Sequence, residues 1–157
     1  MKSGAELFYG GKSVTLEYDK CLKRGKIKTF SRGRGLVAKE LGSAEADLQR
    51  ARKTWEDGDY KWATVQLYYS MFHSARALLY FHNLSEKSHY CLIEAVRTLY
   101  VVPKKVPVSL LESFQQAKQL REEDDYYNRW SEEGCLKLLK DAEVFHQKAV
   151  ELTLNTE

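Results

Sequence analysis

Apolar side chains recur every three or four residues along most of the chain, which is the period of an amphipathic helix. The first stripe runs from Val37 to Trp55, and Asp57-Gly58-Asp59 can end this helix and cap the next one. Between Tyr60 and Asn83 two apolar stripes lie side by side, as is typical of a helix buried on more than one side. We therefore expect residues 60–83 to form the central helix of a bundle.

Three further helices are predicted after the central one. Ser88 can cap the first, Pro107 favours the first turn of the second, and Ser131 can cap the last. No stretch alternates convincingly between apolar and polar side chains, as a half-buried strand would. A short helix is also expected from about Thr15 to Arg24. The pattern thus predicts an all-α fold, a bundle of about five long helices behind an N-terminal extension.

Composition is that of an ordinary soluble globular protein. The 157 residues suit one domain, with 43% apolar and 30% charged side chains and no apolar run long enough to cross a membrane. The N-terminus lacks the apolar segment of a secretory signal. Cys21, Cys91 and Cys135 are odd in number and form no CxxC motif, so we expect three reduced cysteines and a cytoplasmic protein.

The N-terminal quarter of the chain is basic and rich in glycine. Seven of the nine glycines lie in the first 42 residues, and eight basic residues with no acidic one lie between Lys20 and Lys39. We therefore divide the chain into a basic extension, residues 1–42, and a helical bundle, residues 43–157. The stretch after Gly25 is expected to be a basic loop.

Such an extension suits contacts with phosphates and one stacked base, although basic tails are also common without a nucleic-acid role. The candidate contacts with nucleic acid are Lys26, Lys28, Phe30, Arg32 and Arg34.

Several classes of site have no support. The four histidines form no HxxxH pair, and the acidic run at residues 122–125 lacks the alternating carboxylates and glycine of a calcium loop. There is no phosphate-binding loop, no GxGxxG and no nucleophile elbow. No metal site and no cofactor are predicted.

The stretch LREEDDYYNRW, residues 120–130, places a charge where the helical pattern calls for an apolar side chain. Arg121 continues the apolar stripe of its helix. Because an unpaired buried charge is costly, Arg121 needs a partner. Asp124 and Asp125 are the local candidates for an ion pair. The alternative is an arginine that contacts a ligand or RNA.

Two histidines are candidates for a site. His89 follows the predicted helix cap Ser88, where a polar side chain is exposed near free backbone N–H groups. His73 lies on the polar edge of the central helix and is expected to be an interface or core-edge imidazole.

The central segment resembles the HEPN domain family. The similarity lies in residues 67–101, LYYSMFHSARALLYFHNLSEKSHYCLIEAVRTLYV, and continues in Leu120-Arg121 and Asp125-Tyr126, which look like the "LR…DY" signature of small single-domain members. It covers about residues 43–154.

The resemblance implies an antiparallel helical bundle that forms a homodimer. Family members include metal-independent endoribonucleases, often toxins paired with a nucleotidyltransferase-fold partner. Their motif is an arginine followed after four to six residues by a histidine near the dimer cleft. Arg121 matches the arginine, but no histidine follows before His146. Tyr126 does not move a proton near neutral pH as histidine does, since the reference pKa of tyrosine is ~10, but it could stack on a base or donate a hydrogen bond.

Three hypotheses follow. The first is a protein that binds RNA or nucleotide beside a nucleotidyltransferase-fold partner, in a toxin–antitoxin-like or defence role and without the usual catalytic histidine. Its cleft would be lined by Arg121, Asp125, Tyr126, Ser88 and His89. The second is an active endoribonuclease in which His73 or His89 replaces that histidine. The third is a dimeric module for protein interaction only.

Overall fold

The computed structural model describes residues 6–9, 12–122 and 131–154, with side chains from Thr15 onward. Helices dominate these residues, and two small antiparallel sheets of two strands each accompany them. In chain order the elements are β1 (Glu6–Tyr9), β2 (Lys12–Thr15), α1 (Leu16–Lys23), β3 (Ile27–Thr29), α2 (Gly33–Glu56), α3 (Tyr60–Tyr80), β4 (Leu84–Glu86), α4 (His89–Val96), a π-helical turn (Arg97–Val101), α5 (Val108–Glu122) and α6 (Glu132–Thr153).

Helix α3 is the centre of an antiparallel helical bundle and packs against α2, α5 and α6. Leu67, Tyr68, Met71 and Leu78 of α3 have no exposed surface. The predicted central helix and the predicted all-α bundle are therefore confirmed. None of the helices in the described parts of the chain is long and apolar enough to cross a membrane.

Three predicted helix caps are present. Asp59 Oδ1 accepts a hydrogen bond from the Trp62 amide at 3.1 Å, and Ser88 Oγ accepts one from the Cys91 amide at 3.1 Å. Ser131 Oγ accepts one from the amide of Gly134 at 2.9 Å. These side chains satisfy backbone donors that have no partner inside the helix, and so fix where α3, α4 and α6 begin.

The basic stretch after Gly25 is more regular than expected. It contains strand β3, which pairs with β4, and α2 already begins at Gly33. The expectation of a loop without strands is wrong here, because strands of three residues are too short to show alternation. A side chain at residue 33 would place its Cβ 2.5 Å from the Tyr80 carbonyl oxygen, so only glycine permits this close approach of α2 to the end of α3.

The extension packs on the bundle. Tyr18, Cys21 and Ile27 are buried in the same apolar core as the long helices. Helix α2 runs without a break through residue 42. The division into residues 1–42 and 43–157 stays a prediction.

Two cysteines form a disulfide, contrary to expectation. Cys21 of α1 and Cys91 of α4 are bonded, with Cα atoms 5.8 Å apart, while Cys135 is buried and free. The expectation of three reduced cysteines is wrong. Cys21 and Cys91 are 70 positions apart in the chain, and they meet because α1 packs against α4. Since disulfides are rare in the cytosol, the cysteines no longer support a cytoplasmic location.

Candidate functional site

Arg121 lies in the last turn of α5 and reaches across to α3. Its guanidinium carbon is 4.5 Å from the centre of the Tyr68 ring. Nη1 donates a hydrogen bond to the hydroxyl oxygen of Tyr69 at 2.9 Å. Nη2 is 3.9 Å from Oε1 of the exposed Glu122. The ring face attracts the cation electrostatically and the phenol accepts one of its hydrogen bonds, so α3 supplies a platform for the guanidinium.

One hydrogen-bond donor of the Arg121 guanidinium group has no acceptor among the described residues. Its Nε is buried and has no hydrogen-bond partner among the residues that the structure describes. A buried unsatisfied donor is costly, and more so on a charged group. The predicted pairing with Asp124 or Asp125 falls on residues outside the described part of the chain.

Tyr68 connects Arg121 with His89. Its hydroxyl group shares a short hydrogen bond with Nδ1 of His89. Burial raises the pKa of Tyr68, so the hydroxyl keeps its proton at neutral pH. We call Tyr68, Tyr69, His89 and Arg121 the Tyr68 cluster.

The surroundings of His89 keep its imidazole neutral. Burial lowers the pKa of His89, and the positive charges of Arg121 and Lys118 lower it further. Ser88 holds His89 in place indirectly, because its hydroxyl oxygen caps α4. The neutral imidazole is the form of histidine that can act as a general base.

His73 lies in different surroundings. Its Nδ1 is 3.3 Å from Oε2 of Glu40, and its Nε2 is 3.8 Å from Oδ2 of Asp47, both on α2. No contact within the described residues joins His73 to Arg121. Of the predicted cleft residues, the structure therefore brings together Arg121 and His89. His73 is bound to α2 and packs on the Phe72 ring, whose centre is also 4.8 Å from that of His89. Asp125 and Tyr126 lie outside the described residues.

A second cluster, around Arg76, was not predicted from the sequence. Arg76 Nη2 is 2.7 Å from Oε2 of Glu86, and Nη1 is 3.3 Å from Oε1 of Glu40. Its guanidinium lies over the Phe72 ring at 4.4 Å. Burial works against the charge of Arg76, but the bond to Glu86 outweighs it and the pKa is raised. The sequence signal was an arginine on the polar edge of α3, one turn after His73.

Tyr68 and Tyr69 were not predicted as site residues. Tyr68 belongs to an apolar stripe of the central helix and Tyr69 to its polar edge, and both lie in the segment that resembles the family. An arginine on an apolar stripe signals that some aromatic or acidic group must receive it.

The basic residues of the extension divide into two groups. Phe30 packs on Tyr80 with ring centres 5.1 Å apart. Arg34 donates a hydrogen bond from Nε to the Phe81 carbonyl oxygen at 2.9 Å, and its guanidinium lies over the Phe81 ring. These two side chains hold the start of α2 against the end of α3. The other three candidates, Lys26, Lys28 and Arg32, are exposed, as Arg34 is, and the Arg32 guanidinium lies 5.9 Å from the centre of the Phe30 ring.

Metal binding has no geometric basis in the parts of the chain that are described. Within them, no three side chains from histidine, cysteine, aspartate and glutamate lie close enough to hold an ion. The chemistry available to the Tyr68 cluster is therefore that of a cation, two phenols and an imidazole.

Comparison with known proteins agrees with this architecture. The family model described as "HEPN domain" matches residues 38–152. A "UPF0332 protein" of Archaeoglobus fulgidus is 35% identical over 116 residues, which are 69% of this chain and 88% of that protein.

Two further relatives extend the match. "Putative toxin MJ0605" of Methanocaldococcus jannaschii is 30% identical over 103 residues, 65% of this chain and 77% of its own. "UPF0332 protein glr0978" of Gloeobacter violaceus is 30% identical over 114 residues, 71% of this chain and 90% of its own. The resemblance seen in the sequence is confirmed, and the chain belongs to the HEPN domain family.

Proposed function

We propose that this toxin-like HEPN protein binds RNA or nucleotide, with Arg121 as the residue that receives a phosphate. The observation that carries the proposal is the Arg121 side chain itself. Its guanidinium is supported by the Tyr68 ring and the Tyr69 hydroxyl group, and the only described carboxylate that it meets is that of Glu122, at 3.9 Å. A phosphate that contacts the exposed part of the guanidinium, whose side chain is 26% exposed, would neutralise its charge.

Arginine suits this role physically. The guanidinium group presents donors in a planar fork that fits two phosphate oxygens, and it sheds water more readily than an ammonium group. The partly enclosed position beside Tyr68 strengthens such a bond, because the local dielectric is lower than in water. Asp125 and Tyr126 remain predicted members of the same cleft.

The wider setting is also part of the proposal. Relatives named as toxins support a toxin–antitoxin-like or defence role. The family resemblance supports a homodimer and a nucleotidyltransferase-fold partner. Because cellular RNA is found in the cytoplasm, the proposal places the protein there.

The test compares Arg121→Met with Arg52→Met, a matched control that loses a guanidinium group from the ion pair with Glu143 between α2 and α6. Binding of single-stranded RNA and of mononucleotides is measured by fluorescence anisotropy at low salt in EDTA. Charge-assisted hydrogen bonds contribute about 1.5–3 kcal/mol, so Arg121→Met is expected to raise Kd about 10- to 100-fold. The control should bind like wild type.

The outcome decides between two of the hypotheses. No RNA or nucleotide binding by wild type would favour the module for protein interaction only, whereas equal binding by both variants would show that Arg121 is not the phosphate contact.

A second candidate function is metal-independent RNA cleavage that uses His89. It is favoured by the contact of a neutral imidazole with the Tyr68 hydroxyl group beside Arg121. Cleavage would then persist in EDTA, disappear in His89→Gln and survive in His73→Gln, which serves as the control. If cleavage were lost in His73→Gln but kept in His89→Gln, His73 would be the histidine that carries the chemistry. Binding without cleavage by wild type would reject the ribonuclease and keep the first function.

A further inference from the structure

Three lysines share one face of the small sheet formed by β3 and β4. Ile27 pairs with Glu86, and the next pair outward is Lys26 with Lys87, whose amide donates to the Lys26 carbonyl oxygen at 2.8 Å. Side chains alternate between the two faces of a sheet. Ile27 and Glu86 point inward and are buried. Lys26, Lys28 and Lys87 therefore point outward, and all three are exposed. We call them the lysine face.

The arrangement concentrates like charges. Lys26 and Lys87 lie directly opposite each other, and Lys28 is two residues further along the strand. The neighbouring Lys28 ammonium group lowers the pKa of Lys87, and Lys26 adds to the effect. Like charges placed opposite each other destabilise a sheet. None of the three forms an ion pair with another residue of the described chain.

A sheet of only three residues per strand gains little from its own hydrogen bonds, so a charge pattern that opposes it needs an explanation outside the fold. An anion with several charges that bridges the lysines removes the repulsion. Lys26 and Lys28 are spaced by about 6.6 Å along the strand. That spacing is comparable to the separation of neighbouring phosphates in a nucleotide chain.

The lysine face adjoins the Tyr68 cluster. Lys87 immediately precedes Ser88, the cap of α4, and His89 follows. Consecutive Cα atoms are 3.8 Å apart, so the backbone of Lys87 lies within about 7.6 Å of that of His89. His89 contacts Tyr68, on whose ring Arg121 lies.

We propose that the lysine face binds the phosphates of an RNA strand that also places one phosphate at Arg121. This inference rests on the proposed function and narrows it, because the ligand that uses both surfaces is an RNA strand of several nucleotides, whereas a mononucleotide reaches Arg121 alone. It also separates the extension by role: Phe30 and Arg34 hold the fold together, whereas Lys26 and Lys28 contact the ligand together with Lys87.

The experiment replaces all three lysines by glutamine, Lys26→Gln/Lys28→Gln/Lys87→Gln. The control carries the same change of charge on exposed lysines of other elements, Lys53→Gln/Lys105→Gln/Lys140→Gln. Binding of a single-stranded 12-mer RNA, roughly the length that single-strand sites span, is measured between low and moderate salt. Each phosphate contact on a single strand contributes a slope of about −0.7 to a plot of log K against log salt.

The expected result is specific to the lysine face. Loss of three contacts reduces the slope by about 2 and weakens binding about 100-fold at 0.1 M salt, while the control changes neither quantity. Binding of a mononucleotide stays at the wild-type level, because it depends on Arg121. A variant with arginine at all three positions, Lys26→Arg/Lys28→Arg/Lys87→Arg, keeps RNA binding. Circular dichroism and the thermal midpoint establish that each variant is folded.

Other results overturn the inference. If RNA binding depends on Arg121 but its salt slope is unchanged in the glutamine variant, the lysine face is not a contact and the proposed function stands. If wild type binds neither RNA nor mononucleotide, both fail. If the glutamine variant keeps RNA binding but loses binding to vesicles that contain phosphatidylserine, the lysine face belongs to a membrane surface and not to RNA.

Discussion

Arg76 and Arg121 each place a guanidinium group on an aromatic ring of α3. The distance from the guanidinium carbon to the ring centre is 4.4 Å for Arg76 on Phe72 and 4.5 Å for Arg121 on Tyr68. Their side chains are 27% and 26% exposed. Each has a buried Nε without a hydrogen-bond partner among the described residues. The two arginines thus share burial, platform and one spare donor, and they differ in the charges around them.

Arg76 is neutralised inside the fold, since Glu86 and Glu40 lie 2.7 Å and 3.3 Å from its nitrogens. Arg121 donates to a neutral phenol and, among the described residues, meets only the carboxylate of Glu122 at 3.9 Å. An aromatic platform therefore does not reveal whether an arginine serves structure or ligand binding. The surrounding carboxylates do, because they decide whether positive charge is left for an incoming phosphate.

The largest expected effect is on stability, in Arg76→Met. The substitution leaves the buried carboxylate of Glu86 without its counter-charge. Removing one partner of a buried ion pair costs about 3 kcal/mol. Arg121→Met should cost less than about 1 kcal/mol, because it leaves no buried carboxylate behind among the described residues. Urea unfolding followed by circular dichroism measures both.

The double variant Arg76→Met/Glu86→Gln is the control for this explanation. It removes the uncompensated charge and should recover part of the lost stability. Equal losses in Arg76→Met and Arg121→Met would mean that Arg121 is also an internal ion-pair arginine, and the distinction between the two would disappear.

The next effect is on affinity, in Arg121→Lys. An ammonium group keeps the charge but cannot offer the planar fork or lie flat on Tyr68 in the same way. We expect Kd for RNA to rise about tenfold, the equivalent of one weakened charge-assisted hydrogen bond. Arg76→Lys should leave Kd unchanged. An Arg121→Lys protein that binds like wild type would show that any positive charge suffices at this position.

The helices could be predicted from the sequence because their causes are local. The periodic spacing of apolar side chains and the helix caps both involve residues only a few positions apart. The caps are Asp59, Ser88 and Ser131. The pairing of β3 with β4 and the bond between Cys21 and Cys91 depend on elements far apart in the chain. No local sequence pattern therefore predicts them.

The same division holds for the site. Arg121 could be predicted as a site residue because it places a charge at a position where the pattern of its helix calls for an apolar side chain. His89 could be singled out because it follows a cap. The role of Tyr68 could not be predicted in this way. Its ring lies beneath Arg121 and its hydroxyl group bonds to His89 because α3 packs against both α4 and α5. The internal pairing of Arg76 depends in the same way on Glu40 from α2 and Glu86 from β4.

A smaller effect is expected on the titration of His89. Burial, then Arg121, then Lys118 lower its pKa from the ordinary 6.5. In Arg121→Met the pKa should rise toward that value, as measured by NMR titration of the ring protons. Arg52→Met is the control and should change nothing. An unchanged pKa in Arg121→Met would mean that the charge of Arg121 is already neutralised by a carboxylate.

The same shift has a consequence for stability. A histidine with a lowered pKa in the folded state binds its proton less readily there than in the unfolded chain. Its contribution is fully present above about pH 6.5 and is lost as the pH falls through the folded pKa. This loss on acidification should be smaller in Arg121→Met than in wild type, which unfolding curves at several pH values can measure.

The smallest effect is expected for Glu122→Gln. Glu122 is half exposed, and its closest cation is Lys118, with Nζ 2.7 Å from Oε1. Exposed ion pairs contribute little, so stability should change by no more than about 0.5 kcal/mol.

RNA affinity should rise by up to about twofold in Glu122→Gln, because a negative charge near the incoming phosphate is removed. Glu86→Gln is the matched control on the other arginine, and it should lower stability while leaving affinity unchanged. If Glu122→Gln instead weakened RNA binding, Arg121 would need its carboxylate for positioning as Arg76 needs Glu86. The affinity of this one variant therefore tests whether Arg121 is held mainly by the two tyrosines or by a charge.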